Sequence, residues 1–470
     1  MQYIVLIDFG STFTKAAVVN TEIEKVIFTT KHPSTVHTDA GIALDQCFDE
    51  VREIIGDKAF EEAQIHASSS AAGGLRIAVV GLTENLSISA GKNVAFGAGA
   101  KIVHVASGRL TGNDVETLES VPAEMLLFCG GYENGNRTTL IHNAQMLAKS
   151  KIQCPIIYGG NSAVSQEIRS IMVRGNKECF LIPNIIPQVG QLETRAGEEI
   201  IRNLFMKRIV NMKGLAKVQE IVGDIIPTPA AVLEAGKLFS LGYEGQKGHG
   251  NLMIVDVGGA TTDIHSYAEQ VAGEGARIVG AQEPYAKRTV EGDLGMRESS
   301  DTLVQDAGID AMAESIGISE EQLQESIQHR VKDIDFLPDS ELELQIDQNI
   351  AAYAAGAAAR RHAGKWEFIH SSNCNRMQVG KNLTEIHYVL GTGGQIVNSR
   401  DPISILKEVL RKEGTDSNVL LPKESKFYVD YDYILYAVGL LSGQDKKLAF
   451  AVMENGILGK GYDGGYYNGN

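Results

Sequence analysis

Asp256 sits near the end of an apolar run, Leu252 to Val257, and is followed at once by Gly258-Gly259-Ala260-Thr261-Thr262-Asp263. A carboxylate at the end of a buried strand, beside glycines that let backbone N–H groups approach an anion closely, is chemistry for gripping a phosphate. Thr261, Thr262 and Asp263 open a second extended segment, so the stretch reads as a β-hairpin. The N-terminus echoes it. Tyr3 to Ile7 is apolar, Asp8 follows, Gly10-Ser11-Thr12 makes a small hydroxyl-rich turn, and Thr14-Lys15-Ala16-Ala17-Val18-Val19 runs out as another strand. Two copies in one chain predict a duplicated fold with a phosphate hairpin in each half.

Other phosphate motifs are excluded residue by residue. Ala90-Gly91-Lys92-Asn93 lacks the upstream glycine of a Walker A loop and has Asn where Ser or Thr belongs. Gly97-Ala98-Gly99 fails as a dinucleotide fingerprint because Ile102 replaces the third glycine.

The elements that must position these hairpins follow from periodicity. Lys25 to Thr30 is a third strand, and Asp45 to Ala63, with Val51, Ile54 and Ile55 on one face, is a surface helix. From Lys101 strands and helices alternate: Ile102–Ala106, Met125–Cys129, Pro155–Tyr158 and Cys179–Ile182 are apolar, with helices expected over 114–120, 138–149 and 162–173. That alternation predicts an inserted parallel α/β subdomain over about residues 100–190. Its strand ends carry Gly130 to Arg137 and Gly159-Gly160-Asn161, which read either as a docking surface or as tight strand-to-helix turns. The Gly-rich link from Gly242 to Gly250 marks the main boundary. The expected lobes are 1–250 and 251–470, the second with a helical insertion over about 300–345.

Two later segments have chemical character. Lys287-Arg288-Thr289-Val290-Glu291-Gly292-Asp293-Leu294-Gly295-Met296-Arg297 crowds both signs of charge between glycines. Glu291 or Asp293 would orient a water attacking a phosphate, with Lys287, Arg288 and Arg297 answering its charge; a salt-bridged helix start is the competing reading. Gly391-Thr392-Gly393-Gly394-Gln395 follows the apolar strand that ends at Leu390.

The chain has 470 residues, enough for two or three sizeable cores. Its 43 basic against 59 acidic side chains give −16, which argues against a broad nucleic-acid or anionic-membrane surface. Cys47, Cys129, Cys154, Cys179 and Cys374 form no CxxC pair and are odd in number, which favours a reducing compartment and free structural thiols. Met1 leads almost directly into the first strand without a signal-peptide pattern, and no run of roughly eighteen apolar residues occurs, so a cytoplasmic protein without membrane spans is expected.

The two hairpins resemble the phosphate motifs of the actin, sugar kinase and Hsp70 ATPases, matched by Asp8 to Lys15 and by Asp256 to Asp263. Gly391 to Gln395 resembles that superfamily's adenosine motif. More of the chain is similar to the glutamate mutase accessory proteins, the MutL or GlmL family, distinct from the mismatch-repair proteins of the same name. The segments that carry this are Ala67 to Arg76, Gly97 to Lys101, His142-Asn143-Ala144, Lys287 to Arg297 and Val389 to Gly394.

The resemblance implies a duplicated actin-like (ribonuclease H-like) ATPase fold of the α/β class. It also implies an ATP-dependent chaperone that reactivates an adenosylcobalamin-dependent mutase by driving exchange of damaged cobalamin. A small-molecule, sugar-type kinase is the alternative. ATP and Mg²⁺ are the expected ligands, mutase subunits the expected partners. Asp8 and Asp256 would hold the ion through its waters. Gly10, Ser11, Thr12, Thr14, Lys15, Gly258, Gly259, Ala260, Thr261 and Thr262 would take the phosphates, and Gly391, Thr392, Gly393, Gly394 and Gln395 the adenosine. Ala260 departs from the wider superfamily, where a third glycine is common.

Overall fold

The structure is a computed structural model that describes residues 2–10, 13–35, 39–70, 75–209, 222, 225–273, 275–368, 376–459 and 467–468. Ser11, Thr12, the Ala71–Gly74 part of the small-residue loop, and Cys374 lie outside the described residues. The chain divides into two units: Met1–Glu234, Gly280–Pro284 and Tyr436–Gln444 form one, and Ala235–Val279, Tyr285–Leu435 and Asp445–Asn470 the other.

In the first unit β1 (Tyr3–Phe9) pairs antiparallel with β2 (Phe13–Asn20), and β2 antiparallel with β3 (Lys25–Pro33). Helix α1 (Ala40–Ile55) follows, capped by Asp39, whose carboxylate accepts from the Gly41 N–H. Its Leu44, Cys47, Phe48 and Val51 bury against the sheet while the polar side stays wet. β4 (Gln64–Ser69) then joins β1 in parallel.

The inserted sheet comes next, built from β5 (Leu75–Gly81), β6 (Ala100–Ser107), β7 (Met125–Gly130), β8 (Ile156–Gly160) and β9 (Cys179–Leu181). All its pairings are parallel and the order is β6-β5-β7-β8-β9. Alternate residues serve two cores. Ile77, Val79, Leu127 and Ile157 pack on one side, and Ala78, Val80, Leu126, Phe128, Ile156 and Tyr158 on the other. That two-sided burial explains why these strands read as continuous apolar runs. Helix α2 (Thr138–Lys149) covers one face. β10 (Ile225–Pro227) returns to complete the first sheet as β10-β4-β1-β2-β3, and α3 (Thr228–Leu241) leaves from its end.

The second unit repeats this plan. β11 (Leu252–Val257) pairs antiparallel with β12 (Thr262–Tyr267), and β12 antiparallel with β13 (Ala286–Glu291). β14 (Tyr388–Thr392) and β15 (Glu424–Val429) add in parallel on the far side of β11. The order β13-β12-β11-β14-β15 repeats the five strands of the first sheet, with the short strand Tyr467–Asn468 added beyond β15 as a sixth, and this repetition is the duplicated actin-like fold. β13 is the element the sequence concealed, since Ala286 to Glu291 reads as a charged loop or helix start; ladder bonds to β12 make it a strand.

Between β13 and β14 stand the helices Ser300–Ala307, Ile309–Ile316 and Glu320–Lys332, separated at Gly308 and near Gly317, which adopt φ of 83° and 81°. Helix α4 (Glu341–His362) follows. Its small residues allow close approach: a Cβ on Gly356 would lie 3.0 Å from the Glu408 carbonyl. Helix α5 (Leu435–Ser442) follows β15.

Candidate functional site

Asp8 and Asp256 occupy equivalent register positions at the ends of β1 and β11. In both copies the turn closes in the same way: Gly10 N–H donates to the Phe13 carbonyl at 3.0 Å, and Gly258 N–H to the Thr261 carbonyl at 2.9 Å. A Cβ would stand 2.6 Å from the Phe13 oxygen at Gly10 and 3.1 Å from the Thr261 oxygen at Gly258. Glycine is thus required sterically in the first turn and nearly so in the second.

The surroundings of the two carboxylates differ. Asp8 is 2% exposed. Its Oδ1 accepts from the Ser68 hydroxyl at 2.9 Å and the Thr228 hydroxyl at 2.5 Å, and its Oδ2 lies 3.6 Å from Lys15 Nζ, the residue opposite it in the β1–β2 ladder. Ser68 comes from the end of β4 and Thr228 from the start of α3. Asp256 is half-buried, and the residue opposite it is another acid, Asp263. Arg288, on β13, answers Asp263 at 2.5 Å, while Asp263 Oδ1 is buried without a hydrogen-bond partner.

Thr14 and Thr262 also match in register, and both are fully buried. The Thr262 hydroxyl donates to the Leu294 carbonyl at 2.7 Å; Thr14 Oγ1 has no hydrogen-bond partner. Gly259, Ala260 and Thr261 form the outer, accessible part of the second turn.

The Gly292 to Ser299 loop lies directly on that turn. Met296 N–H donates to the Gly258 carbonyl at 3.0 Å and Arg297 N–H to the Gly259 carbonyl at 2.8 Å. A Cβ on Gly295 would be 2.5 Å from the Ala260 oxygen. The three cations expected to answer phosphate are turned inward instead. Lys287 Nζ donates to the His362 carbonyl at 3.1 Å, Arg288 pairs with Asp263, and Arg297 pairs with Asp347 at 2.8 Å. Asp347 also holds Arg330, which is fully buried.

Glu291 and Asp293 are brought together by Arg361 of α4, whose Nη1 lies 2.9 Å from Glu291 Oε2 and 2.8 Å from Asp293 Oδ2; its Nη2 meets Asp306 at 2.9 Å. Burial pushes the Glu291 carboxyl above its ordinary range, against the pull of Arg361.

Thr392 lies opposite Asp256 across β11 and β14, and donates to Asp430 Oδ2 at 3.3 Å. Gly393 has φ 88°, and a Cβ there would stand 2.4 Å from Asp256 Oδ1. Gly391 is packed against Ile396 and Leu406, Gly394 is exposed, and Gln395 is half-exposed on the short helix Gly394–Val397. Asp430 accepts from the Ile434 and Leu435 N–H groups at 2.8 and 3.1 Å. Tyr433, at φ 52°, takes the Asn398 amide N–H on its hydroxyl at 3.1 Å, and that amide also donates to the Gly394 carbonyl at 2.7 Å.

Ser68, Thr228, Arg361, Asn398, Asp430 and Tyr433 are the site residues that sequence reasoning missed. Ser68 lay within the small-residue loop it singled out, and Thr228 behind a proline read as a helix start; the others carried no local signal. The His142-Asn143 segment has a visible structural task. His142 Nε2 meets the Leu110 carbonyl at 3.0 Å, and Asn143 accepts from Leu110 N–H and donates to Gly108 O. The Gly130–Arg137 loop is closed on itself, with Asn161 accepting from Asn134 N–H and donating to the Gly135 and Asn136 carbonyls.

Comparison with known proteins adds the following. A model of the family described as MutL protein matches residues 4–457. The protein MutL of Clostridium tetanomorphum is 35% identical over 461 residues, covering 97% of this chain and 100% of that protein. Among solved structures, a gluconate kinase from Lactobacillus acidophilus aligns at 11% identity and a TM-score of 0.34, covering 100% of this chain and 94% of its own. A xylulose kinase from Bifidobacterium adolescentis aligns at 10% and 0.30, covering 97% and 93%. Likenesses this shallow carry no argument about activity. No described helix is long and apolar enough to cross a membrane.

Proposed function

The chain belongs to the MutL protein family, the glutamate mutase accessory proteins, and from that premise we propose that it binds and hydrolyses ATP to reactivate an adenosylcobalamin-dependent mutase. Glutamate (methylaspartate) mutase is the assigned partner, and exchange of damaged cobalamin the assigned work. The observation that carries the nucleotide reading is the matched pair of hairpins, each with a carboxylate at the strand end and a glycine turn closed by the same hydrogen bond.

The residues present fit ATP with Mg²⁺. Gly259 and Gly394 leave backbone open to an approaching group, and Gly393 admits no side chain beside Asp256. Asp256 offers a half-buried hard oxygen donor of the kind magnesium takes. Asp8, with both oxygens already engaged, suits contact through the ion's waters, because magnesium dehydrates reluctantly. When bound, the ion supplies neutralisation of phosphate charge. Gly10, Lys15, Gly258, Gly259, Ala260 and Thr261 are assigned to phosphate oxygens, and Gly391 to Gln395 to the adenosine. Glu291 and Asp293, fixed on Arg361, are assigned to orient the attacking water. Burial raises the basicity of Glu291, which suits it to accept the proton.

ATP turnover by the purified chain tests this reading, measured alone and with glutamate mutase inactivated by bound hydroxocobalamin. The expected result is recovery of mutase activity on adding adenosylcobalamin, dependent on hydrolysable ATP. Transfer of phosphate to a small alcohol, without recovery, would establish a kinase instead.

A further inference from the structure

We propose that the loop over residues 333–340 is a docking surface for a protein partner that offers an apolar pocket rimmed by lysine and arginine. It rests on the reading of the chain as a mutase-reactivating ATPase, and it names the surface of the second unit that meets the mutase.

The loop joins the helix Glu320–Lys332 to α4 and reads Asp333-Ile334-Asp335-Phe336-Leu337-Pro338-Asp339-Ser340. Phe336 is half-buried, while Ile334 is 55% and Leu337 78% exposed. A single exposed leucine on a protein surface signifies nothing. Here two large aliphatic side chains stand outward three residues apart, beside an aromatic one that is tucked in.

Both are held in place before any partner arrives. Phe336 N–H donates to the Asp333 carbonyl at 3.1 Å and Asp335 N–H to Asp333 Oδ1 at 3.2 Å, which closes a turn around Ile334. Pro338 restricts Leu337 to extended backbone. Phe336 is the anchor beneath them. Its ring centre lies 4.5 Å from that of His329, 5.1 Å from the Arg330 guanidinium and 5.9 Å from that of Arg297. Its carbonyl accepts from Arg297 Nε at 3.2 Å, and both arginines are fixed on Asp347, at 2.8 Å from Arg297 and 2.9 Å from Arg330. An apolar pair presented on an ordered turn loses little freedom on binding, which favours affinity.

Arg297 also joins the loop to the second glycine hairpin. Its N–H donates to the Gly259 carbonyl at 2.8 Å while its guanidinium holds Phe336. One residue thus touches both the turn assigned to phosphate and the anchor of the exposed pair, so a partner on the loop is placed to respond to what the turn holds.

Charge selects the occupant. Asp333, Asp335 and Asp339 are all exposed around the aliphatic pair, and Lys332 is the one lysine or arginine between residues 331 and 341. Such a rim repels nucleic acid and anionic lipid. A second copy meeting through the same loop would set these aspartates against themselves. A protein face with an apolar centre and a basic rim matches both features.

The test is binding of the full chain, with ATP and Mg²⁺, to purified glutamate mutase holding hydroxocobalamin, for the parent and for Ile334→Ser combined with Leu337→Ser. The expected result is mutase binding weakened roughly tenfold to a hundredfold, with reactivation falling alongside. Melting temperature and ATP turnover without mutase should match the parent. Asp335→Asn combined with Asp339→Asn is expected to flatten the salt dependence of binding. A serine variant that binds and reactivates like the parent would overturn the proposal and leave the mutase reading intact. Unchanged salt dependence in the asparagine variant would remove the basic rim. If the parent forms a dimer that the serine variant loses, with mutase binding unchanged, the loop is a contact between copies instead. A parent that binds no mutase would take away the underlying reading and the proposal with it.

Discussion

The first and second glycine hairpins share the order of their five common strands, register and turn closure, yet differ in nearly every side chain around the carboxylate. Lys15 faces Asp8 where Asp263 faces Asp256. The hydroxyl at the end of the parallel neighbour, Ser68, reaches Asp8, whereas its counterpart Thr392 turns to Asp430. The first carboxylate is enclosed and charge-balanced by its own chain. The second is half-buried, with another acid, Asp263, opposite it in the ladder and Arg288 paired to that acid. Duplication has kept the backbone cradle and separated the electrostatics.

The largest predicted effect is on turnover. Asp8→Ala and Asp256→Ala are each expected to abolish ATP hydrolysis, and unchanged turnover in both would remove the magnesium assignment. Their stabilities should diverge. Asp8→Ala strips partners from two hydroxyls and Lys15, a loss of about 1–3 kcal/mol in urea unfolding. Asp256→Ala, at a half-buried rather than an enclosed residue, should cost less. Equal losses would break the comparison.

Next come the glycines. Gly393→Ala places a methyl 2.4 Å from Asp256 Oδ1 and 2.5 Å from the Val257 oxygen at a positive φ, so a loss of about 2–4 kcal/mol is expected. At the equivalent turn positions, Gly10→Ala should destabilise more than Gly258→Ala, because its methyl would come 2.6 rather than 3.1 Å from a carbonyl oxygen. The reverse order in melting temperature would mean the two turns are not held alike. Smaller again is Thr228→Val, which removes one hydroxyl donor from Asp8 and is expected to cost about 1 kcal/mol.

The parts of this contrast legible in sequence were local. Apolar runs located β1, β11 and the inserted strands, and Gly10 and Gly258 announced the turns. What stayed hidden came from distance along the chain. Thr228 reaches Asp8 from α3, Asp430 pins a turn far from Asp256, and Arg361 gathers two acids from another element. β13 was obscured for a related reason. Its Lys287 and Arg288 are buried, and their polarity is satisfied by the His362 carbonyl and Asp263, so a core strand carries charges that hydrophobic periodicity counts as surface.

The third strands extend the contrast and supply the smallest test. Thr14 faces His32 on β3, and Thr262 faces Glu291 on β13, so a base and an acid occupy matching places. Each meets a helix side chain: His32 Nε2 lies 3.0 Å from Glu50 of α1, and Glu291 lies 2.9 Å from Arg361 of α4. Burial is the larger influence on Glu291 and raises its folded-state pKa above the unfolded value of about 4.3. The folded protein therefore binds this proton more tightly than the unfolded chain. The resulting stability is fully present below the unfolded pKa and is lost as pH rises through the folded value. Glu291→Gln removes that dependence, so the difference in melting temperature between parent and variant should shift in favour of the variant as pH rises from about 4 through the mildly acidic range. A difference that stays flat with pH would show Arg361 offsetting burial, and one that shifts in favour of the parent would show it outweighing burial.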